Sequence, residues 1–264
     1  MKSPFPRSNR TLLLSISLLA LFQYGCVSAS KRFTHSILPT NLESSAISID
    51  TRHAIAIDQE RVSLTKAYLK AHNHEFWSRL PAEDTPESIE FEPQVIVVHY
   101  TAITSLQKTV DYFAPNRIDS SRGIVADSGA LNVGIQFIVN TDGQIYSQYP
   151  ETVIARHTIG LNHVAIGIEN IGNADYGTPA FEGKSPLTEA QLKANVQLVR
   201  YLNQKYPSIT FLIAHYEYQD LENPLHPAHL LFSEDDPKYR TEKQDPGKRF
   251  MKKLRKRLRE QSGG

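Results

Sequence analysis

Four consecutive β-branched apolar residues, Val95-Ile96-Val97-Val98, run directly into His99, Tyr100 and Thr101. Such a run suits a strand buried on both faces, as in the middle of a sheet covered by helices. It also delivers an imidazole to the strand's C-terminal end, where open α/β sheets keep their ligands. His99 is therefore a candidate site residue. The alternative is a core histidine whose ring nitrogens are hydrogen-bonded within the fold.

Two further apolar runs repeat the arrangement. Val164-Ala165-Ile166-Gly167-Ile168 leads to Glu169, and Ile209-Thr210-Phe211-Leu212-Ile213-Ala214 leads to His215. One sheet built from these strands brings His99, Glu169 and His215 to a common edge, with Asp245 in the rigid Asp245-Pro246-Gly247 turn beyond. Two histidines and a carboxylate suffice for a catalytic zinc that keeps its fourth position for water. The separations, 116 residues from His99 to His215 and 30 from there to Asp245, carry no signal of their own, unlike a local HExxH-type motif. The residues alone leave the metal reading open.

The rest of the chain supplies covering elements. Asp58–His74 is expected to be helical, with Val62, Thr65 and Leu69 on one side and Leu64 and Tyr68 close by. His72 and His74, two apart, point to different sides and read as surface residues. Ser105–Phe113 reads as a short helix and Asn116–Asn132 as a polar loop. Val133–Asn140 reads as a strand joined through Thr141-Asp142-Gly143-Gln144 to Ile145–Gln148. His157 to His163 looks exposed. Thr188 and Gln191 form a capping box, opening a helix with Leu192, Val196, Val199 and Leu202 on one face and Pro207 beyond its end. Tyr216–Thr241 is expected to be irregular. A last helix turns Phe250, Leu254 and Leu258 inward and its basic residues outward.

Charge and cysteine usage narrow the classes. Residues 247–264 carry eight Lys/Arg against the single acid Glu260, a net of +7 that leaves −6 on the rest of a chain of net charge +1. Such a block suits an anionic surface, membrane or polymer, although a solvated helix face is the commoner explanation. The one cysteine, Cys26, excludes an intrachain disulfide and any cysteine-rich metal site.

Residues 1–30 read as an export signal, with Lys2, Arg7 and Arg10 before the apolar run Thr11–Leu21. Gly25-Cys26 resembles the end of a bacterial lipoprotein signal with Cys26 lipidated, and Val27-Ser28-Ala29 resembles an ordinary cleavage site. A cysteine used nowhere else favours the lipoprotein. The expected location is the bacterial cell envelope, membrane-anchored and facing the periplasm, or otherwise soluble periplasmic or secreted. Residues 31–90 are taken as an N-terminal arm and helix, with 31–57 a tether or loosely packed arm, and residues 91–260 as the catalytic domain.

Taken in order, "VIVVHYTA", "GIQFIVNTDGQIY", "RHTIGLNHVAIGIENIG", "IAHYEYQ" and "KQDPGKRF" resemble the zinc-dependent N-acetylmuramoyl-L-alanine amidases of the type-2 group, relatives of peptidoglycan recognition proteins and phage amidase lysozymes. The resemblance covers about residues 90–255. It implies an α/β fold, a mixed central β-sheet flanked by helices with a zinc cleft at one edge of the sheet. It implies His99, His215 and Asp245 as zinc ligands, Glu169 as general base and Lys243 as the cation that stabilises the oxyanion. Relatives with cysteine as the third ligand are excluded, because Cys26 lies in the signal. His157 matches a histidine of a substrate-contacting "WHAG"-like stretch, with Arg156 in place of its tryptophan, and Asn162 lies where a polar substrate contact is expected. Gln136 stands where many relatives have histidine, and receives no role.

The implied reaction is hydrolysis of the amide between N-acetylmuramic acid and L-alanine in peptidoglycan or muropeptides, with zinc lowering the pKa of water and polarising the carbonyl. The partners expected are that substrate and a membrane reached through Cys26, with no nucleic acid and no second subunit. The competing readings are a non-catalytic peptidoglycan-binding module and, lower, a zinc peptidase acting on stem peptides.

Overall fold

The computed structural model describes residues 33–40, 42–180 and 182–260. The export signal and Cys26 lie outside the described residues. Six strands form one sheet: β1 (Ile49–Asp50), β2 (Val95–Tyr100), β3 (Phe137–Val139), β4 (Ile145–Ser147), β5 (Ala165–Asn170) and β6 (Phe211–Ala214). Their spatial order is β1-β4-β3-β5-β2-β6. The β3–β4 pair is antiparallel, and every other pair is parallel. The sheet is therefore mixed.

Local chemistry explains the main helices. In α1 (Gln59–His72) the Asp58 carboxylate accepts from the Arg61 N–H at the first turn. Ser105 caps α2 (Leu106–Phe113) in the same way. The expected capping box is present in α3 (Glu189–Lys205), where Thr188 and Gln191 satisfy each other's backbone donors. Asp175 accepts from the N–H groups of Arg249 and Phe250 at the start of α4 (Lys248–Glu260). Gly247 makes that cap possible: its φ is 96°, and a Cβ there would stand 2.2 Å from the Asp175 carboxyl carbon.

Helices cover both faces. Ile138 packs with Val110 and Phe113 of α2, whereas its neighbours Phe137 and Val139 join the larger cluster holding Leu192 of α3 and Phe250, Leu254 and Leu258 of α4. Val95 to Val98 have no exposed surface at all, as a doubly covered central strand requires. Among the described residues no helix is long and apolar enough to cross a membrane.

Three expectations need correction. The arm is not loosely packed: Ile49–Asp50 extends the sheet beside β4, while Ile37 bridges Phe211 at the opposite edge and Phe33, Leu38 and Leu42 are buried. The arm thus caps both open edges of the sheet, whose unpaired backbone groups would otherwise need water. The stretch between His157 and His163 is also interior, with Thr158, Ile159, Leu161 and Asn162 buried. Of the expected strand Val133–Asn140, only Phe137–Val139 joins the ladder.

Helix α4 departs from its simple pattern as well. Arg255 turns inward, where its guanidinium grips both Glu217 carboxylate oxygens at 2.9 and 2.5 Å and donates to the Leu212 carbonyl at 3.0 Å. Burial by itself would raise the Glu217 pKa, but the His35 hydrogen bond and the Arg255 pairing outweigh it and hold the group at about 2. Breaking one side of such a pair strands a buried charge, at a cost of about 3–5 kcal/mol. Glu217→Ala is accordingly expected to lower unfolding stability by that amount in denaturant titrations. Glu217→Leu combined with Arg255→Met should recover most of the loss; no loss in the single variant would show the pair to be dispensable.

Candidate metal centre and catalytic cleft

Register assembles the site. Residues Val95 to Tyr100 of β2 lie directly opposite Ala165 to Asn170 of β5, so His99 stands beside Glu169, and Val98 lies opposite Ala214 of β6. Adjacent parallel strands in register turn paired side chains to one face, and the residue after Ala214 is His215. The chain returns with Asp245, whose carbonyl accepts from the Tyr216 N–H at 3.2 Å. Three strand ends and one returning turn thus meet.

The three predicted ligands converge. His99 Nδ1 is 3.0 Å from His215 Nδ1 and 3.2 Å from Asp245 Oδ2, and His215 Nδ1 is 2.9 Å from the same carboxylate oxygen. Tetrahedral ligands at zinc distances of about 2.0–2.1 Å lie about 3.3 Å apart, close to the spacing seen. All three side chains are buried, and three convergent acceptor atoms repel one another unless a cation or a proton lies among them. This His-His-Asp triad can hold a metal ion. Among the described residues it is the only such group.

The electrostatics fit that use. Burial, followed by repulsion from His215, holds His99 down at about 4 against the pull of Asp245, so its ring is neutral and free to ligate at neutral pH. Burial alone would raise the Asp245 pKa, yet the two histidines outweigh it and keep the carboxyl far below its ordinary range. Glu169 behaves oppositely: burial and then the nearby Asp245 raise it well above the usual carboxylate range, with Lys243 opposing. It makes no side-chain hydrogen bond or ion pair among the described residues and lines the cleft beside His99 and Asp245.

Comparison with known proteins identifies the lineage. Residues 90–248 match the Amidase_2 family, N-acetylmuramoyl-L-alanine amidases. The chain belongs to that family. It is 25% identical over 183 residues to the human N-acetylmuramoyl-L-alanine amidase, covering 67% of this chain and 31% of that protein. It is 29% identical over 145 residues to mouse peptidoglycan recognition protein 3, covering 53% and 37%. The chain thus spans about a third of the length of these curated relatives. Similar solved structures include the endolysin amidase LysCS from Clostridium intestinale, with 29% identity, coverage of 51% and 76% and a TM-score of 0.35. Another is an AmpD derivative, with 21% identity, coverage of 66% and 87% and a TM-score of 0.36.

In this Amidase_2 member the cleft that holds the triad is also lined by Tyr112, Phe113, Arg122, His157, Glu169 and Lys243. It adjoins a larger cavity of about 800 Å³ through Tyr100 and Lys243, which line both. Lys243 therefore stands at the junction of the two, two residues before Asp245. The larger cavity lacks the triad, so the candidate metal centre belongs to the smaller cleft.

The two residues expected to contact substrate are engaged within the protein. Asn162 is buried; its Oδ1 accepts from the backbone N–H groups of His157 and Thr158, and its Nδ2 donates to the Tyr68 hydroxyl. It holds the turn. His157 is only partly buried and lines the cleft, but both ring nitrogens have protein partners. Gln136 is equally internal, donating to the Val153 carbonyl and accepting from Gly167 N–H. His226 and His229, in the irregular segment, stand apart from the triad; His226 packs against Phe33.

Sequence reasoning missed two organisers of the cleft wall. Arg156 is buried between the Tyr68 and Tyr239 rings and donates to the carbonyls of Val125, Gly129 and Leu131. It ties the polar loop to helix α1 and to the segment after β6. Only the substitution of arginine for tryptophan hinted at a special role. His72, expected at the surface, is buried, with Nδ1 2.7 Å from Glu234 Oε1 and Nε2 2.8 Å from the Ser128 carbonyl.

Both His72 partners are acceptors, so the ring satisfies both only as an imidazolium. Burial and the neighbouring Arg156 oppose that charge, but Glu234 outweighs them and raises the pKa above its ordinary 6.5. A raised folded-state pKa contributes stability that is complete below the unfolded value and is lost as pH rises through the folded one. Wild type is therefore expected to exceed His72→Gln in thermal stability most at pH 6 and below, with the gap narrowing in alkaline buffer. A pH-independent gap would rule out the charged pairing.

Proposed function

We propose that this chain is a zinc-dependent N-acetylmuramoyl-L-alanine amidase, hydrolysing the amide that joins the lactyl group of N-acetylmuramic acid to L-alanine in peptidoglycan or muropeptides. The observation that carries the reading is the meeting of His99, His215 and Asp245 within hydrogen-bond distance of one another, with Glu169 opposite His99 on the adjoining strand. A binding module needs no such set. Membership of the amidase family supports it further.

His99, His215 and Asp245 would hold the zinc, which when bound supplies Lewis acidity for water and for an amide carbonyl. Glu169 takes a proton from the attacking water and delivers it to the departing nitrogen of L-alanine. The new C–O bond leaves a lactyl carboxylate, and the broken C–N bond leaves a free amine. Lys243 faces the negative charge that develops on the carbonyl oxygen. Burial around the triad limits competing water and strengthens these charge interactions.

The test is digestion of purified peptidoglycan with and without chelator, followed by zinc add-back and mass spectrometry. Free stem peptides beginning with L-alanine, lost on chelation and restored by zinc, are expected. Binding without release would favour a recognition module. Products still bearing L-alanine on muramic acid would favour a peptidase.

We also propose that Cys26 carries a lipid and anchors the protein in the cell envelope. A single acyl chain holds a membrane weakly, whereas two signals hold it firmly. Cys26→Ser is expected to shift the protein from the membrane fraction to the soluble one. An unchanged distribution would remove the lipoprotein reading.

A further inference from the structure

The hydrogen bonds behind the triad form a directed chain that begins at a backbone carbonyl. His157 Nε2 lies 3.1 Å from the Ala165 carbonyl oxygen. A carbonyl only accepts, so this nitrogen carries the hydrogen. That leaves Nδ1 as the nitrogen whose lone pair can accept. That lone pair faces His99 Nε2 at 3.2 Å and the Thr158 hydroxyl at 2.9 Å. A ligating histidine carries its hydrogen on the nitrogen away from the metal, so His99, ligating through Nδ1, donates from Nε2 to His157. Nδ1 is the atom turned toward His215 and Asp245.

We propose that His157 is a positioning residue: it carries the acceptor character of the Ala165 carbonyl through its ring to His99 and so fixes His99 Nδ1 as a metal-donor atom. This rests on the reading of the triad as a zinc site. Asp245 does not oppose the assignment, because its Oδ2 has the shorter contact with His215 Nδ1, at 2.9 Å, which can serve as its hydrogen donor in the metal-free protein.

The surroundings hold His157 in that posture. Asn162 fixes its backbone N–H, and its ring stands perpendicular to His99 with centroids 5.2 Å apart. Behind it lies Gly167 of β5, where a Cβ would come within 3.0 Å of the ring and 2.2 Å of Ile135 Cδ1. Partners of this kind, which bond the far nitrogen of a ligating histidine, typically change metal affinity by 10–100-fold.

Zinc affinity, measured by competition with a chromophoric chelator on the full-length chain, tests the relay without recourse to activity. His157→Leu removes the acceptor and is expected to weaken binding by about 10–100-fold. His157→Asn, whose Oδ1 stands where Nδ1 was, should recover most of it. Nitrogen-15 NMR of the metal-free wild type should show His99 protonated at Nε2. Leucine binding zinc as tightly as wild type, leucine and asparagine equally impaired, or His99 protonated at Nδ1 would each overturn the relay. Wild type that takes up no zinc would overturn the metal reading and the relay together.

Discussion

Glu169→Gln is expected to lower peptidoglycan hydrolysis by about 10²–10⁴-fold, the range of a positioned general base, while zinc content stays at the wild-type level. The carboxamide preserves volume and polarity but accepts no proton. The separation of activity from metal follows from geometry: Glu169 lies opposite His99 on β5 yet makes no hydrogen bond to any of the triad. Its neighbourhood is suited to proton transfer, since burial and Asp245 lift its pKa while Lys243 restrains it. Release of L-alanine-terminated peptides, measured beside metal content by mass spectrometry, decides the matter. Normal turnover in this variant would remove Glu169 from the mechanism, and loss of zinc would make it a ligand or a structural support.

Asp245→Ala should lose zinc and activity together. The metal is asked to supply several kcal/mol of transition-state stabilisation, so its loss corresponds to about 10³-fold or more in rate. Removing the carboxylate also takes away the only anion in the triad, leaving two imidazole nitrogens 3.0 Å apart with no counter-charge for a cation. Asp245→Cys provides the control, because a thiolate is itself a zinc ligand, and it should retain metal that the alanine variant loses. Equal zinc retention in all three proteins would place the ion elsewhere.

Much of this site was legible because each of its parts is local. A run such as Val95 to Val98 is apolar at every position, so it announces a doubly covered strand, and the first polar residue after it falls at the strand end. The same reasoning found Glu169 and His215. The capping box at Thr188 was equally legible, since a cap is decided by residues two or three apart. Lys243 and the assignment of ligands came from resemblance to the amidases, not from spacing.

Polar residues inside the protein were not legible, because their partners are far away in the chain. Arg255 looked like one more cation on a basic helix, and its burial depends on Glu217, 38 residues earlier. His72 looked exposed until Glu234, 162 residues later, met it. Arg156 gains its place from three carbonyls of a loop that gave no periodic signal. The arm carried weak periodicity because it covers sheet edges through backbone pairing, which constrains side-chain pattern little.

Sequence alone determined where the strands end and which polar residues stand there, because hydrophobic runs and caps are short-range properties of the chain. Tertiary structure decided which of those ends adjoin, and hence that His99 lies beside Glu169 and within reach of His215 and Asp245. Strand order and register are set by the packing of distant segments, and they alone convert four separate polar residues into one charged, water-poor centre.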